Sequence, residues 1–363
     1  MKYVSEYRNP KLVEKLVYQL EERTTKDWTI MEVCGGQTHS IMKFGLHELL
    51  PKKIELLHGP GCPVCVTPIS LIDHALHIAS QKETILCSFG DMLRVPGSHT
   101  NLLTSKARGA DVRIVLSPLE AVHLAEQNPH KQVVFFGIGF ETTAPANAMA
   151  VALAKKRGLT NFSLLSSHVL VLPALRFLLE SPTNEIQGFL AAGHVCTVTG
   201  YEEYHALATQ YRIPIVITGF EPVDILQGIL ACIEQLEKGT YSIENKYRRS
   251  AQEQGNILAK QTVESVYTVI SREWRGIGII PASGLELKEE YALYDASIRF
   301  PFEPSKQAKE MGCISGSVLQ GKKKPCDCPL FAKECTPEAP KGAPMVSSEG
   351  ACAAYYNYSS RKI

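Results

Sequence analysis

The residues best equipped for chemistry in this chain carry sulfur. Cys62 and Cys65 stand in the run His58-Gly59-Pro60-Gly61-Cys62-Pro63-Val64-Cys65-Val66-Thr67-Pro68. A C-x-x-C pair can close a disulfide, hold a metal or attack a substrate. Two glycines and two prolines stiffen the backbone around it, which suits thiol geometry better than core packing. Thr67 as N-cap and Pro68 as first helical residue predict a helix start. Both thiols then lie at or just before a helix N-terminus, where free N–H groups and the dipole favour thiolate. A third thiol opens Cys34-Gly35-Gly36-Gln37-Thr38-His39. His39 and His58 are natural proton donors or thiolate partners for these sulfurs.

A second sulfur group occupies the C-terminal region, with spacing C-x12-C-x-C-x6-C-x16-C from Cys313 through Cys326, Cys328 and Cys335 to Cys352. It lacks the close C-x2–4-C pairs of a zinc ribbon, and no histidine is nearby. An all-thiolate site follows, either tetrahedral zinc or an iron–sulfur cluster, and the looser spacing favours the cluster. From Pro301 onward Pro, Lys, Gly and Cys dominate, so metal binding is the expected source of order there. Cys87, Cys196 and Cys232 stand alone between the two groups.

These groups must be positioned by an α/β scaffold. Apolar runs predict strands over 28–33, 54–57, 84–89, 112–116, 132–138, 162–166, 188–192 and 213–218, with helical patterns between most of them. That alternation indicates parallel sheets. The expected fold is α/β: two small doubly wound domains, 29–118 and 119–238, plus a mostly helical or irregular cluster domain from 1–28 and 239–363. Residues 241–274 read as one or two long helices. Parallel sheets present functional loops at the carboxyl ends of strands, which is where the Cys34 and Cys62/Cys65 segments fall. An internal echo, Gly139-Phe140-Glu141-Thr142 and Gly219-Phe220-Glu221-Pro222, places Glu141 and Glu221 either at helix N-termini or in a cleft. His168 and His194 also follow strands, as cleft residues or as satisfied buried imidazoles.

The 363 residues, 45% hydrophobic and 21% charged with net charge +1, describe an ordinary globular protein with ample core. A near-neutral balance excludes a basic nucleic-acid or membrane-surface protein. No apolar run is long enough to span a bilayer. Met1 to Glu6 shows no charged-then-apolar leader, so the expected compartment is the cytoplasm, where eleven cysteines are not a disulfide framework. No P-loop pattern occurs, and Gly137-Ile138-Gly139 lacks the third glycine of a dinucleotide fingerprint.

The Cys34–His39 and His58–Cys65 runs, together with Met345-Val346-Ser347-Ser348-Glu349-Gly350-Ala351-Cys352-Ala353-Ala354-Tyr355-Tyr356, resemble those of the HypD family of [NiFe]-hydrogenase maturation proteins. The resemblance runs essentially end to end. It implies a scaffold on which iron acquires two cyanides and one carbon monoxide, the Fe(CN)2CO unit, before delivery to the hydrogenase large subunit. It also implies a complex with the chaperone HypC, cyanide supply through HypE, and a [4Fe-4S] cluster in the C-terminal region. On that basis Cys34 holds the cargo iron, His39 gives it a hydrogen bond, and Cys62 and Cys65 cycle between dithiol and disulfide. Gly35 and Gly36 leave room for the complex. The cluster ligands are Cys313, Cys328, Cys335 and Cys352. Family members often carry a further Cys where this chain has Pro344, so Cys326 is the substitute ligand. The alternative from another class is a dithiol/disulfide oxidoreductase acting on protein substrates with an accessory iron–sulfur cluster. A third is a zinc-stabilised interaction module.

Overall fold

The computed structural model describes residues 4–303 and 312–359. Met1, Lys2 and Tyr3 of the leader reading, and 304–311 of the Pro/Lys-rich tail, lie outside the described residues. Every expected strand segment forms one: β1 (Trp28–Glu32), β2 (Ile54–His58), β3 (Thr84–Ser88), β4 (Val112–Ile114), β5 (Gln132–Gly139), β6 (Phe162–Val169), β7 (Gly188–Ala192) and β8 (Ile215–Thr218). Three more follow, β9 (Ile243–Asn245), β10 (Tyr267–Trp274) and β11 (Gly278–Leu287).

The strands form two sheets. The first has the order β2-β1-β7-β8-β9 and is parallel throughout. The second has the order β10-β11-β6-β5-β3-β4; β3 to β6 are parallel, and the β10–β11 hairpin adds antiparallel to β6. β3 and β7 are buried along their whole length, as strands covered on both faces must be. The fold is therefore α/β with two mostly parallel sheets.

The strand pairing corrects the division into 29–118 and 119–238. β1 and β2 belong with β7, β8 and β9, whereas β3 and β4 belong with β5 and β6. The chain leaves the first sheet after β2, lays down β3 to β6, returns for β7 to β9, and ends the second sheet with the hairpin. The physical reason is that β1 needs a partner on each side for its buried Ile30 and Met31, and β7 supplies Gly188 and Phe189 in register. Residues 241–274 are corrected too. They hold β9, the helix Ile257–Val266 and β10, because the run Tyr267-Thr268-Val269-Ile270 favours extended backbone. Trp274 anchors that strand, fully buried, with its indole N–H donating to Ser283 Oγ at 2.9 Å.

Local caps agree with the sequence in most places. Asn9 caps the helix Pro10–Arg23 through Lys11 N, and this helix buries Leu16 and Leu20 against the helix Pro222–Lys238. The helix after β2 starts one residue later than expected, as Ile69–Ala79 with Pro68 at its N-cap. A single turn, Pro63–Val66, precedes it with Cys62 at its own N-cap. Among the described residues no helix is long and apolar enough to cross a membrane.

One buried ion pair fixes the helix Pro222–Lys238 beside the carboxyl end of β8. Asp224 is fully buried and receives both Arg249 guanidinium nitrogens, at 2.8 and 2.6 Å. Tyr7 and Tyr247 flank the same guanidinium at 4.1 and 4.4 Å. Truncating one member strands the other without a partner, which costs about 3–5 kcal/mol. Asp224→Ala is expected to lower stability by that amount, read from the midpoint of urea unfolding at constant slope.

Candidate functional site

β1 and β2 end side by side, with Glu32 opposite His58. Glu32 is fully buried, yet its carboxylate lacks no partner. Oε2 accepts from Cys34 N at 2.9 Å; Oε1 accepts from the Thr38 hydroxyl and faces His58 Nδ1 at 2.7 Å. Its carbonyl accepts from Gly59 N at 2.8 Å, and Gly35 N donates to Gly61 O at 2.8 Å. The two cysteine loops are thereby locked together. Gly61 is required for close approach: a Cβ there would lie 2.3 Å from Cys34 N.

Cys34 N-caps the helix Gly35–Lys43, and its Sγ lies 3.6 Å from His194 Nδ1. His194 packs on Phe220 at 5.2 Å between ring centroids. Burial pulls the His194 pKa down to about 4, so its imidazole is neutral at pH 7 and able to accept a hydrogen bond. Burial pushes the Cys34 thiol well above the ordinary range, and the Glu32 and Glu349 carboxylates add to that, while backbone N–H groups of Gln37 and Gly36 oppose it.

Cys62 and Cys65 are 3% and 1% exposed, so the expected thiolate at a helix start is corrected. Burial raises Cys65 well above its usual value, and the neighbouring Cys62, Cys352 and Glu349 raise it further. One turn of helix cannot offset desolvation of that extent. The spaces beside Gly35 and Gly36 are also taken: a Cβ would meet Glu349 at 2.7 Å in one case and Phe220 at 3.0 Å in the other. His39 faces away from Cys34, with Nδ1 3.1 Å from Ser348 O and its ring edge-on to Tyr358. The imidazole beside Cys34 belongs to His194 instead.

The C-terminal thiols gather. Cys313, Cys328, Cys335 and Cys352 line one cavity with Val318, Phe331 and Met345. Cys352 is raised well above its usual value, by burial first and then by the other three thiols. Cys326 is exposed and does not line the cavity. All donors are soft thiols, and a Cβ on Gly342 would come 2.6 Å from Cys313 Sγ, so the wall is shaped to the sulfur. Lys341 N donates to Cys335 Sγ at 3.3 Å. These residues fit an all-thiolate centre. Among the described residues no three metal-binding side chains converge on one point; the thiols surround a space. Arg94 ties this region to the second sheet through Val346 O at 2.6 Å, and Tyr355 OH meets His58 Nε2 at 3.2 Å.

Other candidates resolve differently. Glu221 is a helix N-cap in a capping box with Asp224. His168 is a satisfied buried imidazole whose Nε2 accepts from Asn147 Nδ2 at 3.2 Å. Sequence reasoning missed Glu32, Glu349 and Tyr355. The signal for Glu32 was available as a carboxylate inside the apolar run Ile30-Met31-Glu32-Val33.

The HypD family model, described as "Hydrogenase formation hypA family", matches residues 11–359. The chain is 48% identical over 366 residues to the hydrogenase maturation factor HypD of Escherichia coli (strain K12), covering 99% of this chain and 98% of that one. It is 45% identical to HypD2 of Bradyrhizobium diazoefficiens, covering 99% and 97%, and 45% identical to HypD of Rhodobacter capsulatus, covering 99% and 98%.

Glu32→Ala leaves three buried donors unsatisfied, at about 1–3 kcal/mol each. Its urea midpoint should fall by more than that of Glu32→Gln, which retains one carbonyl acceptor. In the native protein, timed iodoacetamide labelling read by mass spectrometry should modify Cys326 first and leave the buried Cys34, Cys62 and Cys65 far behind it. Glu32→Gln should speed the labelling of Cys34.

Proposed function

The chain belongs to the HypD family of hydrogenase maturation factors, and from that premise we propose that it is the scaffold on which the Fe(CN)2CO unit is assembled. The observation that carries this reading is the meeting of three cysteine segments remote in sequence. Glu349 lies within electrostatic range of both Cys34 and Cys65, and Cys352 within range of Cys65.

Cys34 is the iron-holding ligand. Its thiol is protonated when free, His194 Nδ1 lies within hydrogen-bond reach of the sulfur, and the thiol proton must leave as sulfur binds the metal. A soft thiolate suits a low-spin iron already carrying three strong-field ligands. A second thiolate from HypC leaves the metal at a shared interface, from which it passes to the hydrogenase large subunit. HypE supplies the cyanide. Cys62 and Cys65 form the redox pair: closing their disulfide releases two electrons and two protons, and opening it takes them up. Cys313, Cys328, Cys335 and Cys352 hold a [4Fe-4S] cluster, which supplies one-electron transfer when bound. Four soft thiols lining one cavity are the donor set such a centre takes. The burial of Cys62 and Cys65 weighs against turnover on protein disulfides.

Infrared spectra of the complex with HypC test the cargo site. Cys34→Ala should lose the cyanide and carbonyl bands while HypC binding persists; bands of normal intensity would remove Cys34 from this role. Cys352→Ser should lower iron and sulfide content and loosen 312–359, because ligation and folding are coupled. Cys326→Ser should leave the iron content unchanged.

A further inference from the structure

A cavity of about 640 Å³, lined by none of the Cys34, Cys62/Cys65 or C-terminal thiols, lies between the helix Val171–Leu179, the helix Ile257–Val266 and β11. Its walls are largely apolar, with Leu170, Phe177, Val198, Val263, Ile280 and Leu285 among them. A volume of this size is ordinary for a small-molecule site. One polar group is out of place there. Glu141, from the first Gly-Phe-Glu motif, uses Oε1 to accept from Val171 N at 2.8 Å, while Oε2 is shut from solvent and has no hydrogen-bond partner among the described residues. Glu141 is thus unlike Glu221 of the second motif, whose carboxylate oxygens both accept from the Arg8 guanidinium at a helix N-terminus. A buried carboxylate oxygen without a donor is costly, and a ligand that donates to it removes that cost.

The charge around the cavity specifies the donor. Glu180, Glu202, Glu203 and Glu264 line it besides Glu141, against Arg176 and Lys260. Glu203 acts on Glu141 electrostatically, in the same direction as the burial that lifts its pKa to about 7. An anion would meet this acid excess, and a wholly apolar guest would leave Oε2 unpaired. A metal ion wants several converging oxygens, and no three such side chains converge among the described residues. We propose that this cavity is a binding site for a small organic cation, an ammonium group on an apolar body, with Glu141 Oε2 receiving its N–H and the apolar walls enclosing the body.

Titration calorimetry on the full chain with three probes of one shape tests this: benzylammonium, benzyl alcohol and phenylacetate. Benzylammonium is expected to bind saturably, at least tenfold tighter than benzyl alcohol, with phenylacetate weakest. Glu141→Gln should bring benzylammonium down to the level of benzyl alcohol, with circular dichroism and the urea midpoint confirming that the variant is folded. Val263→Trp, which fills the cavity from the helix Ile257–Val266, should abolish binding of all three and stands in if Glu141→Gln does not fold. The proposal is overturned if benzylammonium shows no saturable binding, if phenylacetate binds equally well, or if either folded variant binds benzylammonium as the parent does. Infrared bands of the iron cargo do not depend on this cavity, so the outcome is independent of the assembly role.

Discussion

The arrangement of the sulfur site depends on one buried carboxylate. Glu32 takes hydrogen bonds from Cys34 N, Thr38 and His58, so the end of β1, the start of the next helix and the end of β2 share a single acceptor. His58 passes the connection on to Tyr355 in the C-terminal helix Ala351–Tyr358. A carboxylate has room for these donors because it only accepts. No apolar side chain could hold the same segments, since each would leave a buried N–H or O–H without a partner. The three sulfur segments are mutually positioned through polar contacts, and the apolar core of Met31, Val33, Leu57 and Val66 packs around them.

Burial sets the chemical character of the thiols. Cys34 and Cys65 are shut from water and held in their protonated forms, so neither is a free nucleophile at neutral pH. Ligation or disulfide formation must then be accompanied by proton removal. His194 stands beside Cys34, neutral because it is buried too. For Cys65 the Glu349 carboxylate also acts electrostatically, and it disfavours thiolate further. Thiols kept in this condition are protected from adventitious oxidation as well as slow to react.

Much of the scaffold was legible in the sequence. The predicted strands are short runs dominated by apolar residues, and a run buried on both faces, such as β3 or β7, needs no long-range information to be recognised. The order of strands within the sheets was not legible, because β1 accepts β7 through Ile30 and Gly188 across more than a third of the chain, and nothing local marks that pair. The cysteines were legible as residue types, and the gathering of Cys313, Cys328, Cys335 and Cys352 agrees with their reading as one group. The partner of Cys34 was not. His39 is five residues away but its helix turns it toward Ser348, whereas His194 arrives just after β7, the strand that pairs with β1. The hairpin β10–β11 was missed because scattered charge in 241–274 resembles a solvated helix until Trp274 is seen to be buried.

The double crossing between sheets has a consequence for biosynthesis. β2 ends at His58 and β7 begins at Gly188, about 130 residues later. At ribosomal speeds of about 5–20 residues per second, the first sheet waits on the order of ten seconds for the strand that completes its centre. During that interval β1 has one open edge, and Cys34, Cys62 and Cys65 have none of the cover that His194, Phe220 and the Glu349 segment later give them. The nascent chain therefore passes through a stage in which three sulfurs that end up buried are still open to solvent. Contacts of such sequence separation also make folding slow. A chain of this topology is most vulnerable to oxidants and to misplaced metal before it is finished, and least so afterwards.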